Sequence, residues 1–87
     1  MQDLQAQTEK IRSVRRAYEK ALMSKANVVG VGLGYRHHAG KRTDELALVV
    51  MVNKKVPLTQ LAPEDVIPTK LEGVPVDVQE VGELKAF

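Results

Sequence analysis

Residues 27–36 decide the fold that we predict for this chain, and they read Asn27-Val28-Val29-Gly30-Val31-Gly32-Leu33-Gly34-Tyr35-Arg36. Bulky residues alternate with glycines from residue 29 to residue 35. Since successive side chains of a β-strand point to opposite faces of a sheet, this pattern predicts a strand with one bulky and one nearly bare face. Bare glycine faces let another backbone or a helix approach closely, so we expect another element to lie there.

A second strand is predicted from about residue 43 to residue 53, after a polar connection at 37–42 that contains Gly40. Its centre is apolar on both faces and reads Leu46-Ala47-Leu48-Val49-Val50-Met51-Val52. That pattern is typical of a strand covered on both sides. The short connection favours antiparallel pairing of the two strands.

Residues 1–26 are predicted to form an amphipathic helix, because residues 3–25 lack Gly and Pro and are rich in good helix formers. Asp3 is a candidate N-cap. The apolar positions form a narrow stripe, made up of Leu4, Ile11, Val14, Tyr18, Ala21 and Leu22. This stripe can pack on the chain's own sheet, or it can contact another chain as a short coiled coil does.

The remainder, residues 27–87, is predicted to complete the sheet, with a Pro-rich connection at 54–68. Pro63 is placed to open a one-turn helix. Gly73 supplies the positive φ of a tight hairpin, and the final strand that follows contains Pro75, which predicts an edge strand. Phe87 is interpreted as a frayed terminal residue or as a plug for a neighbour's groove.

These elements define a single α+β domain over residues 1–87, with a long N-terminal helix packed on a small, mostly antiparallel sheet of three or four strands. The chain has no cysteine, so neither disulfides nor thiolate metal sites can add to the stability of so small a core. We therefore expect any extra stability to come from better packing or from oligomerisation.

Composition argues against several classes of partner. The net charge is only +2 and aromatic residues make up 3% of the chain, which is a poor basis for nucleic-acid binding, although the charges between Lys10 and Lys25 are nearly all basic. No apolar run is long enough to cross a bilayer, and the N-terminus does not resemble a secretory signal. We expect a cytoplasmic protein that binds neither nucleic acid nor membrane.

The sequence predicts no catalytic residue, no metal site and no cofactor. The three glycines alternate within a strand, whereas a dinucleotide fingerprint needs a glycine loop between a strand and a helix. Adjacent histidines such as His37 and His38 point apart on an extended segment and seldom bind one ion. Both serines, Ser13 and Ser24, lie in the predicted helix without a nucleophile-elbow context.

Several blocks of the sequence resemble the N-terminal region of a family of bacterial trypsin-like serine peptidases related to the plant narrow-leaf protein. The resemblance spans residues 27–82, and its blocks lie at 27–35, 43–57, 67–68 and 71–78. In that family the catalytic His, Asp and Ser lie downstream in a peptidase barrel, so the resemblance carries no catalytic residue onto this chain. It implies a small β-rich module that packs against something else, and a chain that has lost its peptidase partner or is a fragment.

A single helix can cover only one face of residues 46–52, so we predict non-catalytic self-association, as a homo-oligomer or filament, through the second face, a strand edge or the helix stripe. The predicted interface residues are Ile11, Val14, Tyr18, Val29, Val31, Tyr35, Val49 and Met51. The alternative is an accessory or propeptide-like module that binds a trypsin-like peptidase or another enzyme in trans. A third possibility is a small hydrolase that uses carboxylates such as Asp77 or Glu80.

Overall fold

The helix and the strands follow one another in the order that the sequence predicts. A computed structural model describes residues 4–81 of the chain. Asp3, the candidate N-cap, and Phe87, interpreted as a frayed terminal residue or a plug, therefore lie outside the described residues. The elements are one helix, four strands and two short 3-10 helices: α1 (Leu4–Met23), β1 (Val28–His38), β2 (Lys41–Val52), η1 (Leu58–Gln60), η2 (Pro63–Asp65), β3 (Lys70–Leu71) and β4 (Val74–Glu80).

The helix packs on one face of the sheet, which confirms the predicted α+β fold. Its buried residues recur at helical spacing and are Ile11, Val14 and Leu22, with Tyr18 packed against them. On the sheet they meet Val31 of β1 and alternate residues of β2, namely Leu48, Val50 and Val52. Leu4 and Ala21 are exposed, so the stripe that reaches the core is shorter than the predicted one.

Strands β1 and β2 form the predicted antiparallel hairpin, with a tighter connection than expected. Ala39 and Gly40, with φ of 53° and 78°, are the two central residues of the turn. Two successive positive φ values are typical of a type I′ turn, whose twist matches that of the flanking strands. The predicted polar connection at 37–42 therefore belongs largely to the strands, and His37 and His38 end β1.

The sheet is mixed, with strand order β1-β2-β4-β3. Strand β4 runs parallel to β2, while the other two pairs are antiparallel. The prediction that Pro75 marks an edge strand is wrong, because β4 lies between β2 and β3. Pro75 is tolerated since the ladder with β2 begins only at Val76, so β2 requires no N–H from residue 75.

The connection between β2 and β3 keeps close to the rest of the domain. Pro63 opens the predicted one-turn helix, and this segment is tied to the end of α1: Lys25 donates to the Glu64 carbonyl at 2.6 Å, and the Ala26 N–H donates to Asp65 at 2.9 Å. The predicted hairpin at 70–74 is confirmed, with Glu72 and Gly73 both at positive φ.

Core burial can be tested on two leucines that are direct partners across the β1–β2 ladder. Leu48 is 0% exposed, whereas its partner Leu33 is 39% exposed. We expect Leu48→Ala to lower the free energy of unfolding by about 2–4 kcal/mol, because it leaves a cavity in the core. The control Leu33→Ala should cost less than about 1 kcal/mol. Urea unfolding followed by circular dichroism measures both, and equal costs would contradict this account of the core.

Candidate interaction surfaces

The glycine face of β1 is covered by side chains of the neighbouring strand. Gly30 and Gly32 pair with Met51 and Val49. A Cβ atom built on Gly30 would lie 2.8 Å from Met51 Cε, and one on Gly34 would lie 3.0 Å from Val49 Cγ2. The element that lies on the bare face is therefore neither a backbone nor a helix, but a pair of β2 side chains that reach sideways over the glycines.

Because of this packing, the face of β2 opposite α1 needs less cover from another chain than the sequence predicts. On that face Ala47 is 0% exposed, Val49 is 7% exposed and Met51 is half-buried. No other helix or sheet lies on this side within residues 4–81, yet most of the face is already removed from water. The expectation that one helix leaves this face open is wrong, because the sheet itself contributes much of the cover.

A polar bridge links the two strands that flank β2. We use this name for His37 of β1 with Asp77 and Gln79 of β4. The backbone N–H of His37 donates to Asp77 Oδ2 at 3.1 Å, and Gln79 Nε2 lies 2.9 Å from both Asp77 Oδ2 and His37 Nδ1. Gln79 also donates to the Tyr35 carbonyl at 3.4 Å. Since β1 and β4 are not neighbours, these contacts show that the sheet curls around Val49 and Met51.

The polar bridge brings a histidine and an aspartate together, as hydrolase triads do, with His37 Nδ1 3.6 Å from Asp77 Oδ2. No serine of the described chain is near. Ser13 is an exposed helix residue, and Ser24 donates to the Ala21 carbonyl at 2.7 Å at the end of α1. Among residues 4–81 no group of three or more His, Asp or Glu could hold a metal ion. The geometry is that of a structural tie.

The outward face of α1 carries ion pairs within the helix. Arg12 lies 3.4 Å from Glu9, and Arg15 lies 3.4 Å from Glu19. The side chains of these pairs are between 42% and 61% exposed, and pairs with this much exposure contribute little to stability. No helix in the described part of the chain has the length and apolarity to cross a membrane.

The structure does not gather the eight predicted interface residues on one surface. Four of them are buried within the chain itself, namely Ile11, Val14, Val31 and Val49. The other four are half-buried, namely Tyr18, Val29, Tyr35 and Met51. Three exposed leucines are absent from the predicted set: Leu4 at the start of α1, Leu33 on β1 and Leu58, 70% exposed, in η1. Leu33 shares the alternation of Val29, Val31 and Tyr35, so periodicity alone could not separate the exposed member of this row from buried Val31.

The outer edge of β1 is the main unpartnered feature of the sheet. β1 is an outermost strand of 11 residues, and within residues 4–81 it pairs with β2 on one side only. Its ladder is regular from Gly30 to Tyr35, with register shifts on either side. Natural edge strands are often protected by proline, lysine or inward-pointing charges. Residues 28–35 contain none of these, and the first charged residue is Arg36.

A smaller apolar groove lies beside the Pro-rich connection. Its apolar lining comes from the end of β2, from β4 and mostly from the connection itself, and includes Val52, Val56, Leu58, Leu61, Ile67 and Val78. Lys54 and Lys55 also line it, and the Lys55 N–H donates to Glu80 at 2.7 Å. The groove and the β1 edge lie on different parts of the domain, so they are separate candidates.

The fold and these surfaces define a class of small α+β domain, in which one helix covers one face of a curled, mixed, four-stranded sheet. Residues 5–81 match the family model described as the NARROW LEAF 1 N-terminal domain, and the chain belongs to this family. The match extends from α1 past the end of β4. It confirms the likeness to the narrow-leaf protein, whereas the likeness to bacterial peptidases stays a prediction. No curated protein matches the chain.

The packing over the glycine face can be tested by adding one methyl group at two positions. We expect Gly34→Ala to lower the free energy of unfolding by about 1–2 kcal/mol, because the new Cβ would press on buried Val49. The matched control is Gly32→Ala, whose Cβ would meet Met51 Cε at 3.9 Å. It should be neutral, or stabilising by up to about 1 kcal/mol. Thermal unfolding measures both, and a Gly32 variant less stable than the Gly34 variant would refute the packing described.

Proposed function

We propose that this domain is a non-catalytic self-association module and that the outer edge of β1 is its contact surface. The observation that carries the proposal is the length of the unpaired edge: β1 has 11 residues and lies at the margin of the sheet. An edge strand presents a row of unpaired N–H and C=O groups, which is a template for pairing with another strand.

The side chains beside this edge favour contact with protein. Leu33 is 39% exposed in the middle of the regular segment, and Val29 and Tyr35 are half-buried on either side of it. A strand added at this edge would bury their remaining apolar surface, at about 25 cal/mol per Å². It would also supply partners for the backbone groups.

The other two predicted contact surfaces are weaker candidates. The helix stripe lies in the core, where Ile11 and Val14 contact the sheet. The second face of β2 is largely covered, since Ala47 and Val49 are buried. The edge is therefore the surface for which a second chain would satisfy groups that this chain leaves unpaired.

The alternative is an accessory module that binds a trypsin-like peptidase or another enzyme in trans. It is supported by the matched family description, which names an N-terminal domain, and by the resemblance to the region that precedes a peptidase barrel. Extended segments of other proteins can also add to a sheet edge. This reading predicts a monomer in isolation. A cytoplasmic location stays a prediction under both readings.

Self-association can be measured by sedimentation equilibrium of the isolated chain at concentrations from about 1 to 200 μM, the range of weak to moderate protein contacts. We expect a concentration-dependent dimer. Leu33→Lys should weaken it at least about tenfold, or about 1.4 kcal/mol, because a charge would be placed on the pairing edge.

The matched control is Leu58→Lys, which removes a more exposed leucine from η1. It should leave the dimer unchanged if the β1 edge is the contact. A monomer throughout this concentration range would refute self-association and favour the accessory module. An equal effect of both variants would point to non-specific apolar attraction.

A further inference from the structure

We propose that two copies of this chain join antiparallel through their β1 strands, about a two-fold axis that passes through Gly32. The proposal rests on the proposed self-association and adds its geometry. The observation behind it is a pseudo-palindrome centred on Gly32: residues 29–35 read Val29-Gly30-Val31-Gly32-Leu33-Gly34-Tyr35. Read from either end, bulky residues and glycines occupy equivalent positions.

The two faces of the sheet require the axis to pass through a residue. In an antiparallel ladder, residues directly opposite each other have their side chains on the same face. An axis at Gly32 places glycine opposite glycine, so the glycine face of one copy continues into that of the other. An axis between two residues would instead continue the glycine face of one copy into the helix-covered face of its partner.

The match of side chains favours Gly32 over its neighbours as the axis. At Gly32, Val31 lies opposite Leu33 within the regular segment, and Val29, at the register shift that precedes this segment, falls opposite Tyr35. An axis at Leu33 would place Val29 opposite His37, and an axis at Val31 would place Tyr35 opposite Asn27. Cross-strand apolar and aromatic pairs each contribute about 0.2–1 kcal/mol, so the Gly32 axis gains the most from them.

Charge decides between antiparallel and parallel pairing. The basic and histidine residues of β1 are gathered at its C-terminal end, at Arg36, His37 and His38. Parallel pairing would bring these residues of the two copies together, and like charges across a strand pair are destabilising. The antiparallel arrangement about Gly32 places Arg36 opposite Val28 and separates the two basic ends.

The chain offers a direct test, because it contains no cysteine. Gly32 is also the β1 glycine best able to accept a side chain, since its Cβ would lie 3.9 Å from the nearest atom, against 2.8 Å and 3.0 Å at Gly30 and Gly34. A residue on the axis faces its own copy with about 4.5–5.5 Å between Cα atoms, within reach of a disulfide. For a residue one position from the axis, such as Leu33, the Cα atoms of the two copies are also separated by ~7 Å along the strand direction.

We expect Gly32→Cys to form a disulfide-linked dimer under mild oxidation, at least about five times more than Leu33→Cys, because only the axis residue meets the geometric limits. Ser13→Cys, on the exposed helix face, is the control for contact through α1. Non-reducing electrophoresis gives the yields, and sedimentation of the reduced wild-type chain is measured in parallel. If Gly32→Cys does not fold, an equimolar mixture of Val31→Cys and Leu33→Cys chains should give the mixed dimer that the same register predicts within the regular segment.

The outcomes separate the two proposals. Preferential linking of Leu33→Cys would overturn the Gly32 axis, and preferential linking of Ser13→Cys would overturn the β1 contact, while either would leave self-association in place. A wild-type chain that sediments as a monomer would overturn the proposed function itself. Linking at Gly32, together with a reversible wild-type dimer, supports both.

Discussion

The rest of the structure depends on the contact between two β2 side chains and the glycines of β1. Because Gly30 and Gly34 have no Cβ, Met51 and Val49 can lie across them, at distances where an added methyl group would meet them at 2.8 Å and 3.0 Å. This contact removes apolar surface from water on the side of the sheet that α1 does not reach. With one α-helix among residues 4–81 and no cysteine in the chain, the domain thereby buries residues on both faces of β2.

Local features were predictable from the sequence, whereas the long-range order of the strands was not. The helix, the β1–β2 hairpin and the Glu72-Gly73 turn follow from periodicity and turn chemistry, which act between near neighbours. The parallel pairing of β4 with β2 forms across the connection from Asn53 to Gly73. The alternation of β4 is the same whether it lies between β2 and β3 or at the edge of the sheet. Pro75 led to the wrong prediction of an edge strand because the sequence does not show that pairing with β2 begins only at Val76.

The candidate surface was predicted in part, for a reason that lies in sheet curvature. Alternation correctly places Val49 and Met51 on the face of β2 opposite α1. In a flat sheet these side chains would need another chain to cover them, which is why the sequence predicts self-association through this face. Curling cannot be read from periodicity, since it arises from contacts such as those among His37, Asp77 and Gln79, some 40 residues apart. Once both faces are largely covered, the edge of β1 remains, and within it Leu33 is exposed although it shares the alternation of buried Val31.

The strand order of the sheet favours a closed dimer over a filament for association through the β1 edge. A two-fold contact uses the same edge of both copies and closes on itself. Growth into a filament would need a second long edge, but β3, at the opposite margin of the sheet, has only two residues. Beside it, β4 pairs with β3 only through Val74 and Pro75, and the rest of its outer side, residues 76–80, is less than half as long as β1. The self-association that we propose would therefore end at a dimer, in which the β1 strands of two curled sheets form one continuous sheet.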